Sequence, residues 1–261
     1  MTLTETIQLA AGDLRIHVLP ERGLDIGRAW LGDTEFAWIS PLNEGPWQGE
    51  FARSFTGGLL TTCGLRNVGA PSEGQPQHGW YSSLPARDVE VAISSAAGRV
   101  VETDVPGDWL ELTREITVDE DGVTVRDTTV NQGWEPVPAP LLYHVNFWWD
   151  AVDIDSAEVE PRDDDARAGD WRAPGEPGPE RVYEHVGASR AVVAHESVRS
   201  TVTSSLQRLW QWIHPAYGVL GIEPANCSVM GRGHDRAEGR LPVLQPDEQR
   251  VSELRIAVEA A

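Results

Sequence analysis

The chain contains no lysine; all 21 of its basic residues are arginine. Catalysis through a lysine Schiff base and phosphate binding by a P-loop lysine are therefore both excluded. Cysteine is almost absent as well, with only Cys63 and Cys227 in 261 residues. Two cysteines cannot complete a structural zinc site alone, and a disulfide framework is not expected in a chain this long. No apolar run reaches the ~18 residues of a bilayer-spanning helix. The opening stretch MTLTETIQLAAGDLRIHVLPERG has neither the basic start nor the sustained apolar segment of a secretory signal. These absences predict a cytoplasmic protein with no membrane partner. Positive charge is scarce, at 21 basic against 41 acidic residues, a formal net charge of −20. That balance repels nucleic acid at long range and predicts no nucleic-acid partner.

Apolar content is ordinary for a folded protein, at 40%, so disorder is not expected. A chain of this length can bury a full core as one large β domain or two smaller ones. Tryptophan is abundant, with 11 against 4 phenylalanines. Most of these should pack in the core or on sheet surfaces, although an indole can also stack on the apolar face of a sugar ring. Alternation of apolar and polar residues marks strands at LRIHVL (14–19), VEVAIS (89–94), WLELTREITV (109–118), GVTVRDTTV (122–130) and RLWQWI (208–213). Turn signals separate them at short intervals, among them PERG, LGDT, DVPGD (104–108) and DEDG. DEDG lies between two alternating runs and reads as a hairpin turn. No amphipathic helix of three turns is legible. The pattern predicts an all-β fold, a single large antiparallel β-sandwich domain spanning 1–261. Region 40–87 should be mostly loop around one short strand in GGLLTTCGL. Residues 161–181, rich in Pro, Gly and charge, should form a long loop, either a solvated excursion or a flap with Trp171 as its apolar contact.

Three polar residues stand beside sequence that wants burial. His144 lies in LLYHVNFWWD, where alternation puts Leu142, His144 and Asn146 on one face and Tyr143, Val145 and Phe147 on the other. Glu223 lies in YGVLGIEPAN, sharing a face with Val219 and Gly221, and Pro224 should end the strand's regular pairing just after it. A carboxyl placed there has a raised pKa unless it is paired. It is either a general base or half of a buried salt bridge. His78 precedes Gly79 on a loop or strand start. Gln211 and Asn226 have the chemistry to bind hydroxyls and fit turn and surface roles equally well, and Asn146 shares the polar face of His144 as a further binding candidate. His78, His144 and Glu223 are suitable metal-ligand types, but nothing in their spacing selects a metal, and no cofactor is expected.

Taken in order, His78-Gly79, then His144-Val145-Asn146-Phe147, then Gly221-Ile222-Glu223 resembles the galactose mutarotase-like (aldose 1-epimerase) superfamily. GGLLTTCGLRNVG and EPANCSVMGR are similar to a bacterial branch of it. The resemblance covers about residues 23–256. It implies a long β-sandwich and a small-molecule carbohydrate partner. It also implies anomer interconversion by acid–base ring opening, with Glu223 taking the anomeric proton, His144 donating to the ring oxygen and His78 contacting the sugar. Arg53, Arg66 and Arg87 flank the first motif, where a hexose-phosphate branch of the superfamily uses arginines; Arg53 and Arg87 are the favoured pair. The chain departs from well-studied members at Asn146, where they have Tyr, and at Pro224-Ala225, where they have Thr-Gln, and the quoted motifs do not place the family's sugar-binding aspartate. Two rivals follow: a non-catalytic carbohydrate-binding or sensor domain, and another isomerase or lyase acting on a sugar acid or sulfosugar. Nothing in the sequence selects an oligomeric state.

Overall fold

The computed structural model describes residues 6–41, 50–103 and 109–261. The turn expected at 104–108 and part of the loop expected over 40–87 lie outside these. Two antiparallel sheets pack face to face. One orders its strands Ile7–Ala11, Leu14–Leu19, Asp25–Leu31, Leu60–Gly64, Leu141–Phe147, Val219–Ala225, Arg208–His214, Arg181–Val186 and Glu158–Pro161, with Thr34–Glu35 paired beside Asp25–Leu31. The other runs Ala151–Ile154, Arg190–His195, Val198–Ser204, Gln249–Ala260, Gly122–Asn131, Trp109–Asp119, Ser95–Thr103 and Arg87–Val91. A short ribbon pairs Val137–Pro138 with Val243–Leu244. This is the antiparallel β-sandwich that the alternation and turn density predict. No helix among the described residues exceeds the six residues of Arg232–Ala237, and none is long and apolar enough to cross a membrane.

The period of two decides what goes where. In Trp109–Asp119 every second residue from Leu110 to Val118 is buried, and its hairpin partner Gly122–Asn131 buries Val123, Val125, Asp127, Thr129 and Asn131. These inner faces meet Leu14, Ile16, Val18, Ile26, Leu60, Tyr143, Val145 and Ile222 from the first sheet. The inner faces also carry charge. Arg114 is fully buried, donating from Nε and Nη2 to Asp127 at 2.9 and 2.7 Å and from Nη1 to Asp25 Oδ1 at 2.9 Å. Its Nη2 also donates to Thr62 Oγ1 at 2.9 Å, and the Tyr143 hydroxyl donates to Asp127 Oδ2 at 2.9 Å. Burial pushes the Asp25 carboxyl above its ordinary range, against the pull of Arg114.

Local departures from expectation have local causes. The strand expected over 89–94 runs instead from Arg87 to Val91, because Ala92 and Ser95 close a turn, with the Ala92 amide donating to the Ser95 carbonyl. Pro224 does not end its strand. Leu209 pairs with Pro224 and Arg208 with Ala225, so Glu223 lies inside the ladder. Residues 161–181 include a short helix, Asp164–Ala168, capped by Asp163 Oδ1, which accepts from the Ala166 amide. Trp171 is no flap contact over an opening. It packs edge-on against buried His185 at 4.9 Å, and its carbonyl accepts from Gln211 Nε2 at 2.8 Å. Arg181 and Tyr183 hold the same excursion through the carbonyls of Asp170, Pro174 and Gly169.

Replacing Arg114 with Met should strand two buried carboxylates. We expect a loss of ~3–5 kcal/mol in urea unfolding; a loss below 1 kcal/mol would mean that the network contributes little.

Candidate active site

The outer face of the first sheet is where Leu141–Phe147 turns Leu142, His144 and Asn146, opposite the core face that takes Tyr143, Val145 and Phe147. All seven residues of this strand are buried, since loops cover its outer side. The ladder that pairs Leu142 with Ala225 and Val145 with Ile222 sets His144 directly across from Glu223. Their side chains meet, with Nε2 and Oε1 3.1 Å apart and both side chains nearly free of solvent contact, at 5% and 4% exposed. Gly221, two residues before Glu223, leaves the room they need. A Cβ there would lie 2.8 Å from His144 Cε1 and 3.0 Å from Glu223 Oε1.

His78 arrives from a loop. Its own φ is +58° and that of Gly79 is +71°, a left-handed pair that a histidine tolerates better than most residues. A side chain at Gly79 would press within 2.3 Å of the Gly64 carbonyl. The His78 amide donates to the Gly69 carbonyl, and its Nδ1 accepts from the Gly69 amide at 3.3 Å. The ring packs on Phe51 at 4.4 Å and stands 6.3 Å from the His144 ring. Phe55 and Trp212 flank His144, with ring centroids at 5.1 and 5.4 Å.

These groups form the floor of a cleft of about 960 Å³. Its walls are aromatic, from Trp38, Phe51, Phe55, Trp212 and Tyr217, and its mouth carries Arg53, Arg162 and Glu180. The Trp212 indole donates to Glu180 Oε2 at 2.9 Å. Arg162 reaches Asp163 at 3.1 Å and Glu180 at 3.5 Å, and Arg53 reaches Glu50 at 3.0 Å. Burial pushes the Glu223 carboxyl up to about 8, with Glu180 adding to the rise and Arg162 opposing it. Burial lowers His144 to about 3, helped by His78 and opposed by Asn146, and lowers His78 to about 4. The contact between His144 and Glu223 therefore joins two groups that burial drives toward their neutral forms. Among the described residues no group of three or more His, Cys, Asp or Glu side chains is arranged to hold a metal ion.

Of the residues singled out in the sequence, His78, His144, Glu223 and Arg53 meet at this cleft and the rest do not. Arg87 is exposed on the edge strand of the other sheet. Arg66 is buried beside Glu102. Gln211 points to the core side, where its Oε1 contacts His185 Nε2 at 2.9 Å, because strand alternation gives the cleft side to Trp210, Trp212 and His214. Asn226 ties backbone at the strand end, accepting from the Leu141 amide and donating to the Ala139 carbonyl. Asn146 is fully buried, with Nδ2 donating to the carbonyls of Gly58 and His144, both at 2.9 Å, so it does not reach the cleft. The sequence reading passed over Trp212, although the alternation of RLWQWI held that signal. It also passed over Arg162 and Glu180, which sit in irregular sequence with no periodic signal.

Residues 4–258 match the family described as a domain of unknown function (DUF4432), and the chain belongs to that family. No curated protein matches the sequence significantly. Solved structures share the fold. A candidate aldose 1-epimerase from Klebsiella pneumoniae superposes with a TM-score of 0.81 at 21% identity, over 94% of this chain and 76% of that one. A candidate aldose 1-epimerase from Escherichia coli gives 0.76 at 16%, over 98% and 99%. A galactose mutarotase-like protein from Lactobacillus casei gives 0.70 at 14%, over 98% and 100%. The fold is the galactose mutarotase-like β-sandwich that the ordered motifs implied.

Two measurements probe this geometry. Gly221→Ala should force His144 and Glu223 apart at an overpacking cost of ~1–3 kcal/mol, visible in a crystal structure as a His144–Glu223 separation well beyond 3.1 Å. Glu223→Gln tests the protonation state. The native carboxyl holds its proton up to about 8, whereas its ordinary value is 4.5, so wild-type stability falls as pH rises through that window. Glutamine removes this dependence. The melting temperature of Glu223→Gln relative to wild type should therefore climb from pH 5 to pH 8; a difference that stays flat over that range would mean that the native carboxyl is already ionised.

Proposed function

We propose that the chain is an aldose 1-epimerase-type isomerase that interconverts the anomers of an uncharged reducing sugar. The observation that carries this reading is the desolvated Glu223 acid held 3.1 Å from the His144 imidazole on the floor of an aromatic cleft. A module that only bound sugar would gain nothing from keeping an acid and a base dry and in contact. Mutarotation asks for one proton acceptor and one proton donor beside a single hemiacetal.

Burial reverses the starting roles implied by the resemblance. Glu223 begins protonated and His144 bare, because the dry floor disfavours both charges. His144 Nε2 takes the proton from the C1 hydroxyl while Glu223 gives its own to the ring oxygen. The C1–O5 bond breaks and the C1 carbonyl forms. Rotation about C1–C2 presents the other carbonyl face. On closure the C5 hydroxyl attacks C1, Glu223 takes back the hydroxyl proton, and His144 returns its proton to O1. The pair ends as it began, so proton balance needs no further reactant. His78 binds the sugar near the ring oxygen, and Arg53 meets its hydroxyls at the rim. Both arginines lining the cleft among the described residues already face carboxylates, which favours a neutral sugar over a sugar acid, sulfosugar or sugar phosphate. We take 1–261 as one domain acting on this small molecule.

The test is NMR of anomer exchange on freshly dissolved sugars, neutral and anionic. Wild type should accelerate exchange of a neutral aldose, and Glu223→Gln should lose ~10²–10⁴-fold of that rate. Exchange in Glu223→Gln equal to wild type would remove Glu223 from the reaction. The active form holds one proton on the pair. The kcat/KM profile should therefore stay level through neutrality and fall as pH rises past about 8, where Glu223 loses its proton. A profile rising through pH 8 would contradict the assigned donor.

A further inference from the structure

We infer that Asn146 is a positioning residue, its side-chain carbonyl accepting the Nδ1 proton of His144 and so fixing the tautomer that leaves Nε2 bare toward Glu223. Four observations carry this. First, both Nδ2 protons of Asn146 are committed to backbone carbonyls, those of Gly58 and of His144, each at 2.9 Å. Turning the amide over would set Oδ1 against two other oxygens, so the orientation of Oδ1 is fixed. Second, Asn146 Oδ1 and His144 Nδ1 are both buried and both are left without a hydrogen-bond partner, each other included, so a small closure between them would satisfy both. One is an obligate acceptor and the other a ring nitrogen able to donate, and leaving both unmatched in a dry site is costly.

Third, the two side chains project from the same face of one strand two residues apart. Gly221 is the ladder partner of Asn146, and a Cβ built on it would lie 3.3 Å from His144 Nδ1. The Nδ1 edge of the ring thus lies over the position beside Asn146. Phe55 and Trp212 hold the ring there from either side. Fourth, the alternative tautomer would point an Nε2 proton at Glu223 and leave Nδ1 a bare acceptor facing the Asn146 carbonyl. Two acceptors would then face each other on one edge, and on the other the Nε2 proton would meet the carbonyl oxygen of the Glu223 acid, leaving the acid proton without the imidazole as its acceptor.

The result is a relay of fixed direction. The Glu223 acid donates to Nε2, Nδ1–H donates to the Asn146 carbonyl, and the Asn146 amide donates to backbone. As the imidazole takes up the sugar proton, the same carbonyl faces an imidazolium and stabilises it. By this relay a fully buried residue that never reaches the cleft acts on the cleft's chemistry.

The tautomer is a property of the free protein and stands apart from the proposed reaction; its kinetic consequence rests on that reading. The experiment is NMR of the full chain labelled with ¹⁵N in histidine, the His144 signals being identified by their loss in His144→Asn. Near pH 6.5 the wild type should show His144 neutral and protonated on Nδ1. A proton on Nε2 would overturn the inference whatever the protein catalyses. Asn146→Leu removes the acceptor at similar volume. It should shift His144 toward the Nε2–H form and lower kcat ~10-fold, about one hydrogen bond's worth, with KM unchanged. Retention of the Nδ1–H form at full kcat in a folded Asn146→Leu would also overturn it. Should that variant not fold, the wild-type spectrum decides alone.

Discussion

Arg114 is the interaction on which the arrangement of the two sheets depends. It stands where the alternation of its strand demands an apolar side chain, in a row with Leu112 and Ile116, and it is fully buried. An unpaired guanidinium there would be prohibitive, so the sheets have to present Asp127, Asp25 and Thr62 to it. Asp127 is its own hairpin neighbour, but Asp25 and Thr62 belong to the opposite sheet. The charge therefore fixes how one sheet sits over the other, which apolar contacts alone do less sharply. The same cluster reaches the strand that carries His144, because Asp127 also accepts from the Tyr143 hydroxyl. Tyr143 and His144 are adjacent and face opposite ways, so the core network sets the strand from which the imidazole projects.

On the outer side of that strand the physics changes sign. Around Arg114 every charge has a countercharge. Around His144 and Glu223 the nearest neighbours are rings and a glycine, and the groups respond by giving up their charges. A neutral acid and a neutral base in contact are stable enough to be held dry and close enough to exchange a proton. The charged groups of the cleft stay at the mouth, paired with one another, where water still screens them.

Much of this was legible in residue order. Alternation in WLELTREITV and GVTVRDTTV gave a hairpin, and it also placed Arg114 and Asp127 in the buried phase, which marks them as a buried charge pair. In LLYHVNFWWD the same period separated His144 from Tyr143 correctly. It failed at Gln211, since RLWQWI belongs to a central strand buried on both faces and nothing local says which face meets the cleft. It failed at Pro224 because the strand tolerates a missing donor. The ladder to Leu141–Phe147 skips that position, yet the one to Arg208–His214 continues through it.

What the sequence determined by itself is whatever depends on neighbours a few residues away: strand faces, turns, the burial of His144 and Glu223, and the space left at Gly221. What only the tertiary structure decided is whatever depends on register between distant strands. Leu142 lies opposite Ala225, 83 positions along the chain, and that pairing alone brings an imidazole against a carboxyl. Arg87 and Arg53 look alike in composition and context, and the sheets send one to a far edge and the other to the cleft. The protonation state was settled last of all, because desolvation is a property of everything that surrounds a group, and those surroundings are assembled from every part of the chain.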